Sequence, residues 1–102
     1  MKDWIEIAGL EDIPQCQARV VRTGTHKLAV FRTASDEVFA IEDACPHRQG
    51  LLSQGVVRDN SVTCPCHNWK IDLATGNVME PDKGSTLTFQ TRVKSGRIFL
   101  SL

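Results

Sequence analysis

Two short segments hold the residue types that do chemistry. Cys45-Pro46-His47 and Cys64-Pro65-Cys66-His67 each set a thiol beside an imidazole, with residues 48 to 63 between them. In an extended segment the side chains at i and i+2 point the same way, so Cys45 and His47 can reach neighbouring metal atoms from one loop. Pro46 stiffens that loop by fixing φ. Two sulfurs and two nitrogens at one point suit a tetrahedral zinc ion, a disulfide with bystander imidazoles, or an iron–sulfur cluster. Structural zinc sites commonly draw a cysteine pair from one knuckle and a histidine pair from a helix, whereas here each segment supplies one of each. That mixture favours two metals sharing bridging sulfides, each loop giving a thiolate to one iron and an imidazole to the other.

The rest of the chain bounds what such a centre can serve. With 102 residues and 41% hydrophobic content, residues 1–102 make one domain with one modest core, and no second catalytic domain fits. Twelve basic side chains against twelve acidic ones leave no excess charge for phosphate backbones or anionic lipid. Neither a nucleic-acid nor a membrane partner is expected. The opening "MKDWIEIAGLEDIP" builds no apolar run of signal or spanning length, so a cytoplasmic protein is expected. In a reducing compartment, four cysteines are not expected to form a disulfide framework, and the clustering of Cys45, Cys64 and Cys66 in the middle of the chain favours metal or redox chemistry. Cys16 stands apart and is read as a small buried hydrophobe.

The elements that must position the two segments are strands. Apolar residues recur at short, often alternating intervals in "WIEI", "ARVV", "KLAVF", "VFAI", "SVTC", "TLTFQTRV" and "RIFLSL". Turn-formers separate them at Gly24, Ser35–Asp36, Asp59–Asn60 and Ser95–Gly96, and "ATG" after "WKIDL" reads as a hairpin turn with Gly76 at positive φ. "GLEDIPQ" has room for one helical turn, ended by Pro14. The class predicted is all-β, an antiparallel sandwich or barrel, with the polar connection Val78–Ser85 on its surface.

The spacing Cys-x-His, sixteen residues, Cys-x-x-His resembles the Rieske [2Fe–2S] motif. The resemblance covers nearly the whole chain, is strongest from Cys45 to Gly84, and implies two cluster-binding loops, within about residues 43–72, at one tip of the sandwich. It assigns Cys45 and Cys64 to one iron and His47 and His67 to the other. High-potential members carry an inter-loop disulfide; here Gly50 stands where one partner would be, so none is expected for Cys66. Those members also place Gly-Ser after the second histidine, where this chain has Asn68-Trp69. Fewer donors to the sulfurs imply a potential low in the Rieske range, about −150 mV rather than about +300 mV.

With every ligand position filled and no nucleophile–base pair elsewhere, the chain is expected to pass electrons and to catalyse nothing alone. Arg48, Gln49, Leu51, Asn68 and Trp69 are the docking candidates at the tip, although Trp69 is equally read as packing under the cluster. Leu52 reads as core, His26 as a solvated turn residue, and Trp4 as core or edge packing. "CPHRQGLLSQGVV", "CPCHNWKIDLATGNV" and "EPDKG" resemble the small subunit of assimilatory NAD(P)H nitrite reductase, which implies a large partner with sirohaem, [4Fe–4S] and flavin that reduces nitrite to ammonia. The alternative is a Rieske ferredoxin carrying electrons from a flavin reductase to an aromatic ring-hydroxylating dioxygenase.

Overall fold

Alternating apolar side chains resolve into ten short strands among the residues described by a computed structural model, namely 4–24, 26–45, 50–65, 68–79 and 83–101. β2 (Gln17–Thr23), β3 (His26–Arg32), β4 (Val38–Glu42) and β8 (Thr88–Phe89) form one antiparallel sheet in the order β2-β3-β4-β8. β1 (Trp4–Gly9), β10 (Arg97–Ser101) and β9 (Thr91–Lys94) form a second, in the order β1-β10-β9. The third is a small sheet of β5 (Val56–Arg58), β6 (Ser61–Thr63) and β7 (Lys70–Asp72). All strand pairs are antiparallel, as the sequence predicts. No helix among the described residues is long and apolar enough to cross a membrane.

Two apolar clusters fill the spaces between sheets. Ile13, Leu28, Val30, Val38, Ala40, Ile98 and Leu100 pack the first and second sheets together. Ala29, Phe31, Ile41, Leu52, Val57, Val62, Ile71, Leu73 and Val78 form the other, which also contains Cys45 and Cys64. Period-two alternation explains the sharing: successive β3 side chains face opposite sides of their sheet, so Leu28 and Val30 serve one core while Ala29 and Phe31 serve the other. In the small sheet the row Val57–Val62–Ile71 faces inward and is buried.

The turns fall where turn-formers stand. Asp36, Asp59 and Ser95 take left-handed φ of 65°, 49° and 52°, and Gly76 sits at 77°. A Cβ on Gly76 would collide with the Thr86 carbonyl, so only glycine fits there. The one helical turn forms as a 3₁₀ segment over Leu10–Asp12, whose N-terminal Gly9 N–H is taken up by the Asp12 carboxylate at 2.9 Å.

Four readings need correction. "TLTFQTRV" is not one strand: it breaks at Gln90, and β8 and β9 lie in different sheets. The Ser101 N–H donates to the Gln90 carbonyl at 3.0 Å and the Thr91 hydroxyl to the Val38 carbonyl at 2.7 Å, which fixes the chain as it changes sheets. Cys16 is exposed, because φ of 61° and an N–H bonded to the Arg32 carbonyl at 2.8 Å turn its side chain outward. His26 is half-buried at the start of β3, its ring edge-on to Phe89 with centroids 5.4 Å apart. The Val78–Ser85 connection is on the surface at Met79 and from Lys83 to Ser85, but its first residue, Val78, bridges Ile71 and joins the core. Trp4, on edge strand β1, lies over the Arg92 guanidinium at 4.3 Å, in keeping with edge packing.

Candidate metal centre

Both cysteines stand just past the end of a strand, where inward-facing alternation carries them into the core. Cys45 follows β4 by three residues and Cys64 follows β6 directly. Their side chains sit in one apolar cluster and the residues are 2% and 1% exposed. Two sulfur donors thus reach one sheltered place from separate loops, the first joining β4 to β5 and the second joining β6 to β7.

The two loops close in the same way. The Cys45 N–H donates to the Gly50 carbonyl at 2.8 Å, and the Cys64 N–H donates to the Trp69 carbonyl at 2.7 Å. Each bond spans five residues and encloses one of the histidines. In the second loop the Asn68 N–H also returns to the Cys64 carbonyl at 3.1 Å, with Asn68 at φ 59°, a conformation asparagine tolerates better than most residues. Pro46, His47, Arg48, Gln49, Cys66 and His67 lie outside the described residues, so the structure places the sulfur half of the expected ligand set and is silent on the nitrogen half.

The segment after the first loop pins it to the second. Leu52–Gln54 forms a 3₁₀ turn whose Leu52 is fully buried beneath the loop, as expected for a core residue. The chain then passes Gly55, where a Cβ would strike the carbonyl of Thr63, the residue before Cys64. A glycine is required for that close approach, which holds β5 against the strand leading into the second loop.

Trp69 is half-buried and packs against the cluster that holds both cysteines, so its packing role is observed. Leu51, 42% exposed, and Asn68 are the expected docking residues that the structure leaves open at the surface.

Sequence reasoning missed Asp43. It is buried two residues before Cys45 and accepts both the Ser53 N–H, at 2.7 Å, and the Ser53 hydroxyl, at 2.8 Å. Its own N–H donates to the Lys27 carbonyl at 2.8 Å, and the Lys27 ammonium lies 3.7 Å from its carboxylate. A clamp therefore joins the two flanks of the first loop. The available signal was an acidic residue in "EDAC" and a serine in "LSQG" on either side of the loop, but a loop carboxylate is ordinarily a solvated one.

Comparison with known proteins agrees with this geometry. A family model described as the Rieske [2Fe–2S] domain matches residues 3–90. The chain is 46% identical over 56 residues to 4beta-methylsterol monooxygenase of Methylococcus capsulatus, a match covering 55% of this chain and only 15% of that protein's length. It is 34% identical over 76 residues to the anthranilate 1,2-dioxygenase ferredoxin subunit of Burkholderia cepacia, covering 74% of this chain and 69% of the relative. Among solved structures it superposes on the E. coli protein NirD with a TM-score of 0.85 and 29% identity, covering 99% of this chain and 97% of that one.

Proposed function

The chain belongs to the Rieske [2Fe–2S] domain family, and from that premise we propose that it is the small electron-transfer subunit of a cytoplasmic NAD(P)H nitrite reductase. The Rieske-type [2Fe–2S] cluster of the family supplies one-electron transfer when bound. In this reading Cys45 and Cys64 hold one iron and His47 and His67 the other. What supports this reading is that the Cys45 and Cys64 thiols are sheltered in one apolar cluster, each on a loop closed by its own backbone bond. The protein's part is to exclude water around the sulfurs and to keep the two loops in register, through Leu52, Trp69 and the Gly55 contact.

The observation that carries the finer reading is the anchoring of the segment that contains "EPDKG". The Met79 N–H donates to the Lys70 carbonyl at 2.8 Å and the Val78 N–H to the Gly84 carbonyl at 2.9 Å. The connection thus starts from the strand leaving the second cluster loop, beside Asn68-Trp69. Of the two sequence features that resemble nitrite reductase small subunits, Asn68-Trp69 immediately precedes Lys70, and Met79, bonded to Lys70, immediately precedes "EPDKG", whose Glu80, Pro81 and Asp82 lie outside the described residues; a large subunit docked over this strand would read both. The likeness to NirD over 99% of the chain supports the same assignment. The second reading, a ferredoxin for a ring-hydroxylating dioxygenase, is favoured by the 34% identity to the anthranilate dioxygenase ferredoxin subunit.

The test is co-expression with a sirohaem- and flavin-containing large subunit. A stable complex that oxidises NADH or NADPH only when nitrite is added is the expected result. Failure to bind the large subunit, together with turnover of an aromatic dioxygenase supplied with a flavin reductase, overturns it in favour of the ferredoxin. The reduced chain alone is expected to show a rhombic EPR signal with average g below the free-electron value.

A further inference from the structure

We propose that Asp43 is a positioning residue for the first cluster loop and that the Lys27–Asp43 pair tunes the reduction potential of the centre by fixed charge. The inference rests on the cluster reading above and concerns residues outside the ligand set.

The geometry is that of a clamp. The Asp43 side chain is fully shielded from solvent and spends each carboxylate oxygen on a different Ser53 donor, the N–H at 2.7 Å and the hydroxyl at 2.8 Å. Ser53 belongs to the 3₁₀ turn that leaves the loop, and Asp43 to the stretch that enters it. With the Cys45–Gly50 backbone bond nested inside, the loop is closed twice, and its closure does not depend on the ligands alone.

Charge follows from the same arrangement. Asp43 stands two residues before Cys45, with Cα atoms within about 7 Å by chain geometry, so in the cluster reading a buried carboxylate belongs to the same short stretch as a sulfur that would carry iron. Burial keeps water from screening the carboxylate, so its field acts more strongly than that of a solvated one. Its partner is an imperfect neutraliser: Lys27 is 3.7 Å away with its side chain 35% exposed, so part of its field is lost to solvent and salt. Reduction adds an electron beside a carboxylate that opposes it and an ammonium that favours it. Asp43 therefore lowers the potential and Lys27 raises it.

Three variants of the full chain separate position from charge. In Asp43→Asn the amide oxygen can accept the Ser53 N–H, and the Ser53 hydroxyl can turn to accept from the new NH₂, so the clamp persists without the charge. The midpoint is expected to rise by about a tenfold change in the reduction equilibrium, which is about 59 mV for one electron. Lys27→Gln, at a half-exposed position, is expected to shift it the other way by a smaller amount, and more weakly at high salt. Ser53→Ala keeps both charges and loses one clamp bond; its midpoint should hold while the cluster is lost to a chelator about tenfold faster than from the wild type. Voltammetry and EPR on each protein read these out.

Opposite shifts for the first two variants cannot come from a loosened loop, which would move both the same way. Shifts of one sign, or no shift in either with the wild-type EPR signal retained, overturn the tuning role. Should Asp43→Asn not hold its cluster, Lys27→Gln decides the charge question alone, and equal cluster lifetimes in Ser53→Ala and wild type overturn the clamp. A wild-type protein with no rhombic signal would instead refute the cluster reading itself.

Discussion

Each end of the β3–β4 hairpin buries one charged residue, and the two are treated differently. At the end away from the cluster loops, Arg32 is satisfied on every side: Nη1 donates to the carbonyls of Leu10 and Ile13 at 3.1 and 2.9 Å, while Nε and Nη2 lie 3.0 and 2.9 Å from Asp36. At the loop end, Asp43 has its hydrogen bonds, and among the described residues the cation beside it is Lys27, 3.7 Å away and half-exposed. The strands differ too. β2 and β3 run for seven residues each, whereas β5, β6 and β7 run for three. One end is built to stand by its own ladder, core and ion pair. The other supports its short sheet through a single buried row, Val57–Val62–Ile71, and through two loops and what they hold, and it buries a carboxylate where charge affects electron transfer.

The sharpest way to break this contrast is to remove the cluster. Cys64→Ser is expected to abolish colour and the EPR signal completely. Amide hydrogen exchange over Val56–Arg58, Ser61–Thr63 and Lys70–Asp72 should then accelerate by about tenfold or more, while β2, β3 and β4 keep their protection. Equal acceleration in both regions would mean that the molecule is one cooperative unit and that its two ends are not independent.

A matched pair of core truncations sharpens it further. Leu52 and Ile98 are both fully buried, one in the cluster beneath the cysteines and the other between the first two sheets. Each alanine variant is expected to lose about 2–5 kcal/mol of stability, the usual cost of a buried aliphatic truncation. Only Leu52→Ala should also shorten the lifetime of the cluster in chelator. A comparable loss from Ile98→Ala would show that the distal core supports the loops directly.

The same contrast explains what could be read in advance. The strands of the larger sheets and their turns were legible because alternation and turn chemistry are local: "KLAVF", "VFAI" and "RIFLSL" each show a buried face, and Asp36 and Ser95 stand where positive φ is needed, as does Asp59 in the small sheet. The cysteines were legible because their spacing is chemical. β5 was not singled out, since three residues are too few for a period to show. The break at Gln90 escaped for a different reason: each half of "TLTFQTRV" has strand character, and only the tertiary bonds of Gln90 and Thr91 reveal that two sheets are involved. Asp43 was hidden because nothing local distinguishes a clamped carboxylate from a solvated one. Cys16 was misread because burial statistics for cysteine ignore a backbone that turns the side chain outward.

The smallest effect expected lies at the distal end and concerns Asp36. Its carboxyl is held below the ordinary value of 3.8, first by the hydrogen bond from Gln15 and then by Arg32. One oxygen, Oδ1, takes all of these donors, with Gln15 Nε2 at 2.9 Å and Arg32 Nε at 3.0 Å. A carboxyl with a depressed folded-state value binds its proton less readily folded than unfolded, so it stabilises the protein above about pH 4 and loses that contribution as the pH falls through the folded value. Asp36→Asn is a clean probe, because asparagine also accepts the left-handed φ of 65° at this turn. The variant is expected to melt slightly below the wild type at neutral pH, with the gap closing in acid and the potential of the centre unmoved. A gap that stays constant with pH would assign the difference to the turn rather than to the charge. A shifted potential would mean that the two ends of the hairpin are electrostatically connected after all.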